Sequence, residues 1–481
     1  MINRATSVRV ARSADAQRVV GELGDWAVGT GPLFRLLARG MQAAVERGAL
    51  PPGARLPAER ALADAVSVSR GTAVAAYDLL VADGLVERRH GSGTFVIGAG
   101  SLGLPPGREG SALVARLVDR SAAASTVIDL SISVLHRPDG LPDVSVGTAD
   151  LAAVLPDTGY SPWGLPGLRQ AVARLVTGWG LPTDEQQIVI TTGAQQALST
   201  AAACWVRPGD TVLVEDPTYP GALSAFGAAG ARLVGLAVDR HGVRPDALRA
   251  ALAEHPVLAY LQPTLHSPTG SVLAAGRRAE IAEALARARV PLVEDNALAG
   301  LIWGEAPPPI AVHRPDHPGA VVGSLSKRFW GGLRVGFVRA SEPVALRFAR
   351  VKATHDLGSS AISQVLAQRL LEHPDADRFV AEQNAALFDR YQALADGLRR
   401  QLPNWSWTEP SGGLSVWVRL PEPVAEPFAQ AALRTGVAVA TAEALSPSAG
   451  HPDRIRLSFS APADELLEGV ARLAAAWAPF T

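Results

Sequence analysis

Lysine is nearly absent from this 481-residue chain. Of its 45 basic residues only Lys327 and Lys352 are lysines, and the rest are arginines. A chain so biased keeps a lysine chiefly where arginine cannot serve. A guanidinium is never deprotonated in proteins and cannot be a Schiff-base nucleophile, whereas a desolvated amine can. Lys327 lies in Gly323-Ser-Leu-Ser-Lys-Arg-Phe-Trp-Gly-Gly-Leu-Arg-Val-Gly336, where Ser324, Arg334 and the glycines suit a phosphate held close to backbone. Taken alone, the stretch also reads as a polar surface loop, so its neighbours must decide.

Those neighbours are polar motifs placed after apolar, strand-like runs. Ile188–Thr191 leads into Thr192-Gly-Ala-Gln-Gln-Ala197, a glycine turn entering a helix, and a helix N-terminus is an anion site. Thr211–Glu215 leads into Glu215-Asp-Pro-Thr-Tyr-Pro-Gly221, which offers Tyr219 as a flat stacking surface. Leu258–Gln262 precedes Gln262-Pro-Thr-Leu-His-Ser-Pro-Thr-Gly270, and Val290–Glu294 ends at Asp295. A carboxylate there either pairs with a protonated ring nitrogen or caps a helix. Val321–Ser324 and Val335–Arg339 flank the lysine, and Arg456 stands in Arg454-Ile-Arg-Leu-Ser-Phe-Ser460. Strands alternating with Ala-rich helical stretches predict an α/β domain with a mainly parallel sheet, whose chemistry belongs at the loops after strand C-termini.

Upstream the pattern changes. Leu33–Arg47 has apolar residues at helical spacing and ends before a Pro51-Pro52-Gly53 turn. A short helix follows from Pro57 to Ala65. Ser69 then caps a helix to Asp83, on which Ala73, Ala76, Tyr77 and Leu80 form a core-facing stripe. Leu85–His90 and Thr94–Ile97 read as two strands joined by Gly91-Ser-Gly93. Three helices and a hairpin make a winged helix-turn-helix, whose second paired helix places its N-terminal residues at base edges in the major groove. Ser69, Arg70 and Thr72 stand there, and Arg88, Arg89 and His90 make a basic wing suited to phosphates or the minor groove.

Length and composition bound the rest. At 481 residues more than one domain is expected, and 48% apolar residues suffice for large cores. Net charge is -1, so any DNA contact must come from a local patch. Cys204 alone excludes an internal disulfide and fits a reducing compartment. With no basic-then-apolar leader at Met1–Gly29 and no apolar run near the ~20 residues of a membrane span, a cytoplasmic protein is expected. The boundaries expected are an N-terminal extension at 1–30, the winged helix at 31–97, a Gly/Pro/Ala-rich flexible linker at 98–125 with a short helix at Leu113–Arg120, and the α/β domain at 126–481.

Leu56-Pro-Ala-Glu-Arg60, Val68-Ser-Arg-Gly-Thr72, Asp83-Gly-Leu and Gly91-Ser-Gly-Thr-Phe-Val96 resemble the GntR-type DNA-binding domain. The resemblance implies DNA contacts at Arg60, Arg70, Thr72 and His90. It departs at Val74, where some members have a DNA-contacting arginine. The later motifs, in their order, resemble the fold-type I, class I aminotransferases, which use pyridoxal 5'-phosphate (PLP). The resemblance implies that Lys327 is the catalytic residue, forming a Schiff base with the cofactor. It further implies that Asp295 pairs with the pyridine nitrogen and Tyr219 stacks on the ring. Gly193, Ala194, Gln195, Ser324 and Arg334 would hold the phosphate. Tyr160 would reach the phosphate of a partner subunit, and Arg456 would anchor a substrate or effector carboxylate.

Two departures bear on activity. Ser267 stands where these enzymes have an asparagine, and Asn296, Ala297 and Leu298 follow Asp295 where they have a tyrosine. Both lost groups donate to the cofactor's phenolic oxygen, so the Schiff-base pKa is expected to rise. The two halves together resemble the MocR-type regulators, an α+β winged helix-turn-helix followed by an α/β PLP-dependent transferase-like domain. This implies a PLP-dependent regulator of transcription that senses PLP, an amine or an amino acid. It would bind double-stranded operator DNA as a homodimer, often head-to-tail. Two alternatives stay open: an active aminotransferase with a DNA-binding appendage, and a DNA-binding protein with a degenerate, cofactor-free domain.

Overall fold

In the computed structural model, which describes residues 16, 19, 23, 26, 27, 31–46, 49–50, 54–83, 85–89, 93–97, 127–135, 140–154, 158–448 and 450–480, the chain divides into two units, Met1–Glu109 and Gly110–Thr481. His90, the Pro51–Gly53 turn, and the 98–125 linker with its short helix lie outside the described residues.

In the smaller unit, helix α1 (Leu33–Glu46) buries Leu37, Met41 and Ala44, one helical stripe. Helix α2 (Glu59–Ala65) contributes Leu62 and Ala63. Helix α3 (Arg70–Ala82) is capped by Ser69, whose hydroxyl accepts from the Thr72 amide at 3.1 Å. It buries Ala73, Ala76, Tyr77 and Leu80, the stripe its sequence predicts. The Tyr77 hydroxyl donates to the Pro57 carbonyl at 2.7 Å, tying α3 to the start of α2. Strands β1 (Val86–Arg89) and β2 (Gly93–Val96) pair antiparallel with Arg89 opposite Gly93, which forms the wing.

The larger unit opens on the short strand β3 (Ile128–Asp129). Its main sheet uses β4 (Ile188–Thr191), β5 (Thr211–Asp216), β6 (Arg232–Asp239), β7 (Gly242–Val243), β8 (Leu258–Leu261), β9 (Leu292–Asp295), β10 (Gly319–Ser324) and β11 (Gly336–Ala340). Among the described residues these eight lie in the order β4-β11-β10-β9-β8-β5-β6-β7. β10, β9, β8, β5 and β6 run parallel; β11 is antiparallel to both neighbours, and β7 turns back on β6. β4, β5, β8 and β9 are buried along their length or nearly so, as a sheet covered by helices on both faces requires. Their carboxyl ends therefore share one edge, and every polar motif of the larger unit except Arg456 leaves from it.

A second layer completes the unit. Among the described residues, β12 (Ser406–Trp407), β13 (Ser415–Arg419), β15 (Ala440–Thr441) and β16 (Arg454–Ser458) form an antiparallel sheet. β14 (Val437–Ala438) pairs in parallel with β3, which fastens the start of the unit to this C-terminal lobe. The long helix Ala376–Gln401 packs along Ala463–Trp477 over a core that includes Trp405, Phe428 and Trp477, with Trp405 and Phe428 edge-to-face at 5.3 Å. No helix among the described residues is long and apolar enough to cross a membrane.

Candidate functional site

Loops from the carboxyl edge of the main sheet, the segment Ile132–Leu135 and the β16 residue Arg456 enclose a cavity of about 340 Å³. Lys327 enters it from the helix that follows β10, Leu325–Arg328, whose N-cap Ser324 accepts from the Lys327 amide at 3.3 Å. The Lys327 amine donates to the Ser133 carbonyl at 2.7 Å. Burial pushes that amine down to about 8, and the charge of Arg456 adds to the shift against the attraction of Asp295.

Strand alternation separates the two carboxylates at the end of β9. Glu294 turns away and accepts from the amides of Ile310 and Ala311 at 2.9 and 3.1 Å, anchoring a distant loop. Asp295 faces the cavity, with Tyr260 donating to Oδ2 at 2.8 Å and the Ala297 amide to Oδ1 at 2.9 Å. Burial raises the Asp295 carboxyl above its ordinary range; these two donors and the Lys327 charge oppose that rise. A cation placed before it would hold it ionised.

At the other end the register sets Thr191, Gly336 and Ser324 side by side on β4, β11 and β10. A Cβ on Gly336 would come within 2.6 Å of the Gly193 carbonyl carbon. Gly193 has φ +91°, and a side chain there would crowd the Arg334 guanidinium at 3.2 Å. The helix it opens, Ala194–Trp205, has no side-chain cap, which leaves its first-turn amides to a ligand. Arg334 itself takes a left-handed conformation, φ +53°, a cost of ~1–3 kcal/mol for a residue with a side chain. It donates to the Thr192 carbonyl at 2.9 Å. The Gln195 side chain is spent on positioning: it donates to the Gly221 carbonyl at 2.9 Å and accepts from the Tyr219 hydroxyl at 3.1 Å.

Ser267 lines the cavity, its carbonyl and amide paired with the Gln262 side chain. The Gln262 amide nitrogen also donates to Thr218 at 3.1 Å. Glu215 lies behind, accepting from the Gln262 amide at 2.6 Å, and burial lifts its carboxyl to about 8. The adjacent His266 is driven down to about 4 by burial and is neutral. Arg456, paired across β16 with Trp417 and Ala440, donates to the Ser131 carbonyl while its Nε is buried without a partner. Burial pushes its guanidinium down to about 10. Tyr160 is 62% exposed and does not line the cavity of its own chain.

Sequence reasoning did not single out the second lysine. Lys352 is fully buried and grips Asp356 at 2.8 and 2.9 Å; Asp356 accepts from Gln196 at 2.7 Å, and Gln196 accepts from the Thr192 amide at 2.8 Å. This relay ends at the glycine turn, and lysine scarcity itself was the signal for it. Nothing in the sequence marks Ser131 and Ser133, which act through backbone carbonyls.

In the smaller unit Arg60, Ser69 and Arg70 are exposed and Thr72 is half-buried. The Ser69 and Thr72 hydroxyls bond each other at 2.9 Å. The wing arginines are less free than their sequence suggests. Arg88 pairs with Asp78 at 2.7 Å, and Arg89 pairs with Glu87 at 2.7 Å and lies over the Phe95 ring.

The large site fits pyridoxal 5'-phosphate on its donor set. It offers an amine near neutrality, a buried carboxylate facing it, and a glycine turn closed by Arg334 where a Cβ would intrude. Comparison with known proteins agrees. Residues 125–473 match the family "Aminotransferase class I and II", and residues 37–96 match "Bacterial regulatory proteins, gntR family". The uncharacterized HTH-type transcriptional regulator YisV of Bacillus subtilis is 31% identical over 80% of this chain and 84% of its own. The probable rhizopine catabolism regulatory protein MocR of Rhizobium meliloti is 27% identical over 78% of each chain. Among solved structures, the α-aminoadipate aminotransferase LysN of Thermus thermophilus, complexed with N-(5'-phosphopyridoxyl)-L-leucine, superposes with TM-score 0.66 at 27% identity, covering 74% of this chain and 92% of its own.

Proposed function

Since the chain belongs to the MocR-type regulators, in which a GntR-type winged helix is fused to a class I and II aminotransferase domain, we propose that an amine or amino acid reaching Lys327 changes the affinity of the winged helix for its operator. One observation carries this: the Lys327 amine donates to the Ser133 carbonyl. An amine that forms a covalent bond to carbon loses donor hydrogens, so chemistry at Lys327 competes with its hold on residues 131–135. Those residues belong to the first described segment after the winged helix.

When bound, PLP supplies an aldehyde that exchanges amines and a ring that withdraws electrons. The chain's own groups do the rest. Asp295 would pair with the ring nitrogen, Tyr219 would cover the ring, and Arg334, Ser324 and the amides after Gly193 would bind the phosphate. Ser324 accepts from Lys327's amide, which leaves its hydroxyl proton to donate. Arg456 anchors the carboxylate of the effector through a bidentate fork. The exposure of Tyr160 supports a homodimer in which it reaches the partner's phosphate site. On DNA, Arg70, Ser69 and Thr72 sit at base edges, while Arg60, Arg88, Arg89 and His90 serve the backbone.

Anisotropy of the protein's own upstream DNA, with PLP-loaded protein and an added amine, tests the coupling. The DNA affinity should shift in the intact protein and stay fixed in Lys327→Ala. A shift that persists in Lys327→Ala would overturn it. A second reading, turnover as an aminotransferase, is favoured by the poised amine of Lys327. Ser267, Ala297 and Leu298 weigh against it, because none supplies the amide or phenol that donates to the cofactor's phenolic oxygen. Steady product formation from amino-acid and keto-acid pairs would establish it.

A further inference from the structure

Asp295 is held by two donors of different origin. The Ala297 amide reaches Oδ1 from the same turn, whereas the Tyr260 hydroxyl reaches Oδ2 from the neighbouring strand. In the register of β8 on β9, Tyr260 pairs with Val293, so Asp295 lies two residues further along the same face. At ~3.3 Å per residue that is about 7 Å, a span that a phenol covers and a serine or threonine hydroxyl does not. The ring that covers it is fixed. Tyr260 is fully buried in one core with Val214 and Val293, and it lies tilted against Phe226 at 5.8 Å. Phe226 belongs to the helix Pro220–Ala228, which begins directly after Tyr219.

An ionised carboxylate only accepts, so in this pair the hydroxyl donates. Burial first, and then the charge of Asp295, push the Tyr260 hydroxyl well above its ordinary value, and it keeps its proton. A carboxylate that accepts such a bond is favoured in its ionised form. Burial raises the Asp295 carboxyl, and the Ala297 amide, Tyr260 and the charge of Lys327 oppose that rise. The third of these vanishes when Lys327 is neutral, the form that acts as a nucleophile. Of the three, only the two hydrogen bonds then remain, so Tyr260 matters most in the state the chemistry needs.

We propose that Tyr260 is a positioning residue for the cofactor's ring nitrogen: by donating to Oδ2 it keeps Asp295 ionised and turned to the cavity. The proposal rests on the assignment of PLP and Asp295 to this site. It is tested on the full chain loaded with PLP isotopically labelled at the ring nitrogen, whose NMR resonance reports whether that nitrogen holds a proton. Tyr260→Phe keeps the ring against Phe226 and removes the hydroxyl alone. It should shift the resonance toward the unprotonated position. It should also weaken PLP about ten- to a hundredfold in a fluorescence titration, the scale of a hydrogen bond to a charged group. In an Asp295→Asn background no charge remains to be held. There the same substitution should leave the resonance in place and change the affinity by less than about twofold. A resonance unmoved by Tyr260→Phe, or an equal loss of affinity in both backgrounds, overturns the proposal and leaves the cofactor reading intact. A chain that takes up no cofactor overturns both.

Discussion

In the proposed role Lys327 must meet two opposed demands, to be neutral enough to attack an aldehyde and polar enough to be held in place. Burial and the nearby Arg456 meet the first by lowering its amine to about 8; the Ser133 carbonyl meets the second. The sign of the pH dependence follows. The neutral amine is the nucleophile, so PLP uptake by the apo-protein should accelerate as pH rises and level off above a midpoint near 8. Stopped-flow absorbance would show this, and a midpoint near the ordinary lysine value would contradict it. A second prediction concerns the relay behind the Gly193 turn. Gln196→Ala removes the acceptor of the Thr192 amide and unties the turn from Asp356 and Lys352. With about 1 kcal/mol per hydrogen bond, PLP binding should weaken roughly five- to tenfold in a fluorescence titration, while the uptake midpoint stays near 8. At this scale the sequence was informative where chemistry restricts residue type. Lys327, Asp295 and Arg334 stood out for that reason. Gln196 and Ser133 did not, because an amide in an Ala-rich helix and a backbone carbonyl leave no such mark.

Among the elements, α3 shows the closest match between sequence and structure. Its cap, its buried stripe and its open first turn all follow from 3.6-residue periodicity and from Ser69. Substitution can separate cap from contact. Ser69→Asp keeps an acceptor for the Thr72 amide and suits the helix dipole, so the unit's stability should hold. A negative charge there repels phosphates, so DNA affinity should fall. Ser69→Ala should instead cost about 1 kcal/mol of stability. Thermal melting together with anisotropy distinguishes the two. Strand β6, Arg232–Asp239, was not legible: it lies next to the sheet's end, buries only Leu236 among exposed and half-buried residues, and leads to no polar motif. The wing was legible as strands but not as charge. Arg88 meets Asp78 from α3, a pairing fixed only when helix and hairpin come together.

For the whole molecule, the division at residues 109 and 110 predicts separable unfolding. A ligand that binds only the folded larger unit stabilises that unit alone, by about 2.7 kcal/mol at a hundred times its dissociation constant. Calorimetry should therefore show two transitions, of which PLP raises only one. Coupling between the sites must be reciprocal: whatever factor an amino acid changes in DNA affinity, operator DNA must change in the amino acid's affinity. Paired titrations that fail to agree would show that a third component intervenes. The lysine count has a practical corollary. Lys352 is fully buried and held by Asp356, whereas Lys327 lines the open cavity, so Lys327 is the lysine side chain left to amine-directed reagents. An acylating label would then attach to the chain terminus and to one interior position, and that interior position should be blocked whenever the cofactor is seated. Mass spectrometry of the labelled protein would thus count loaded molecules directly, even in a mixture where colour is too faint to measure.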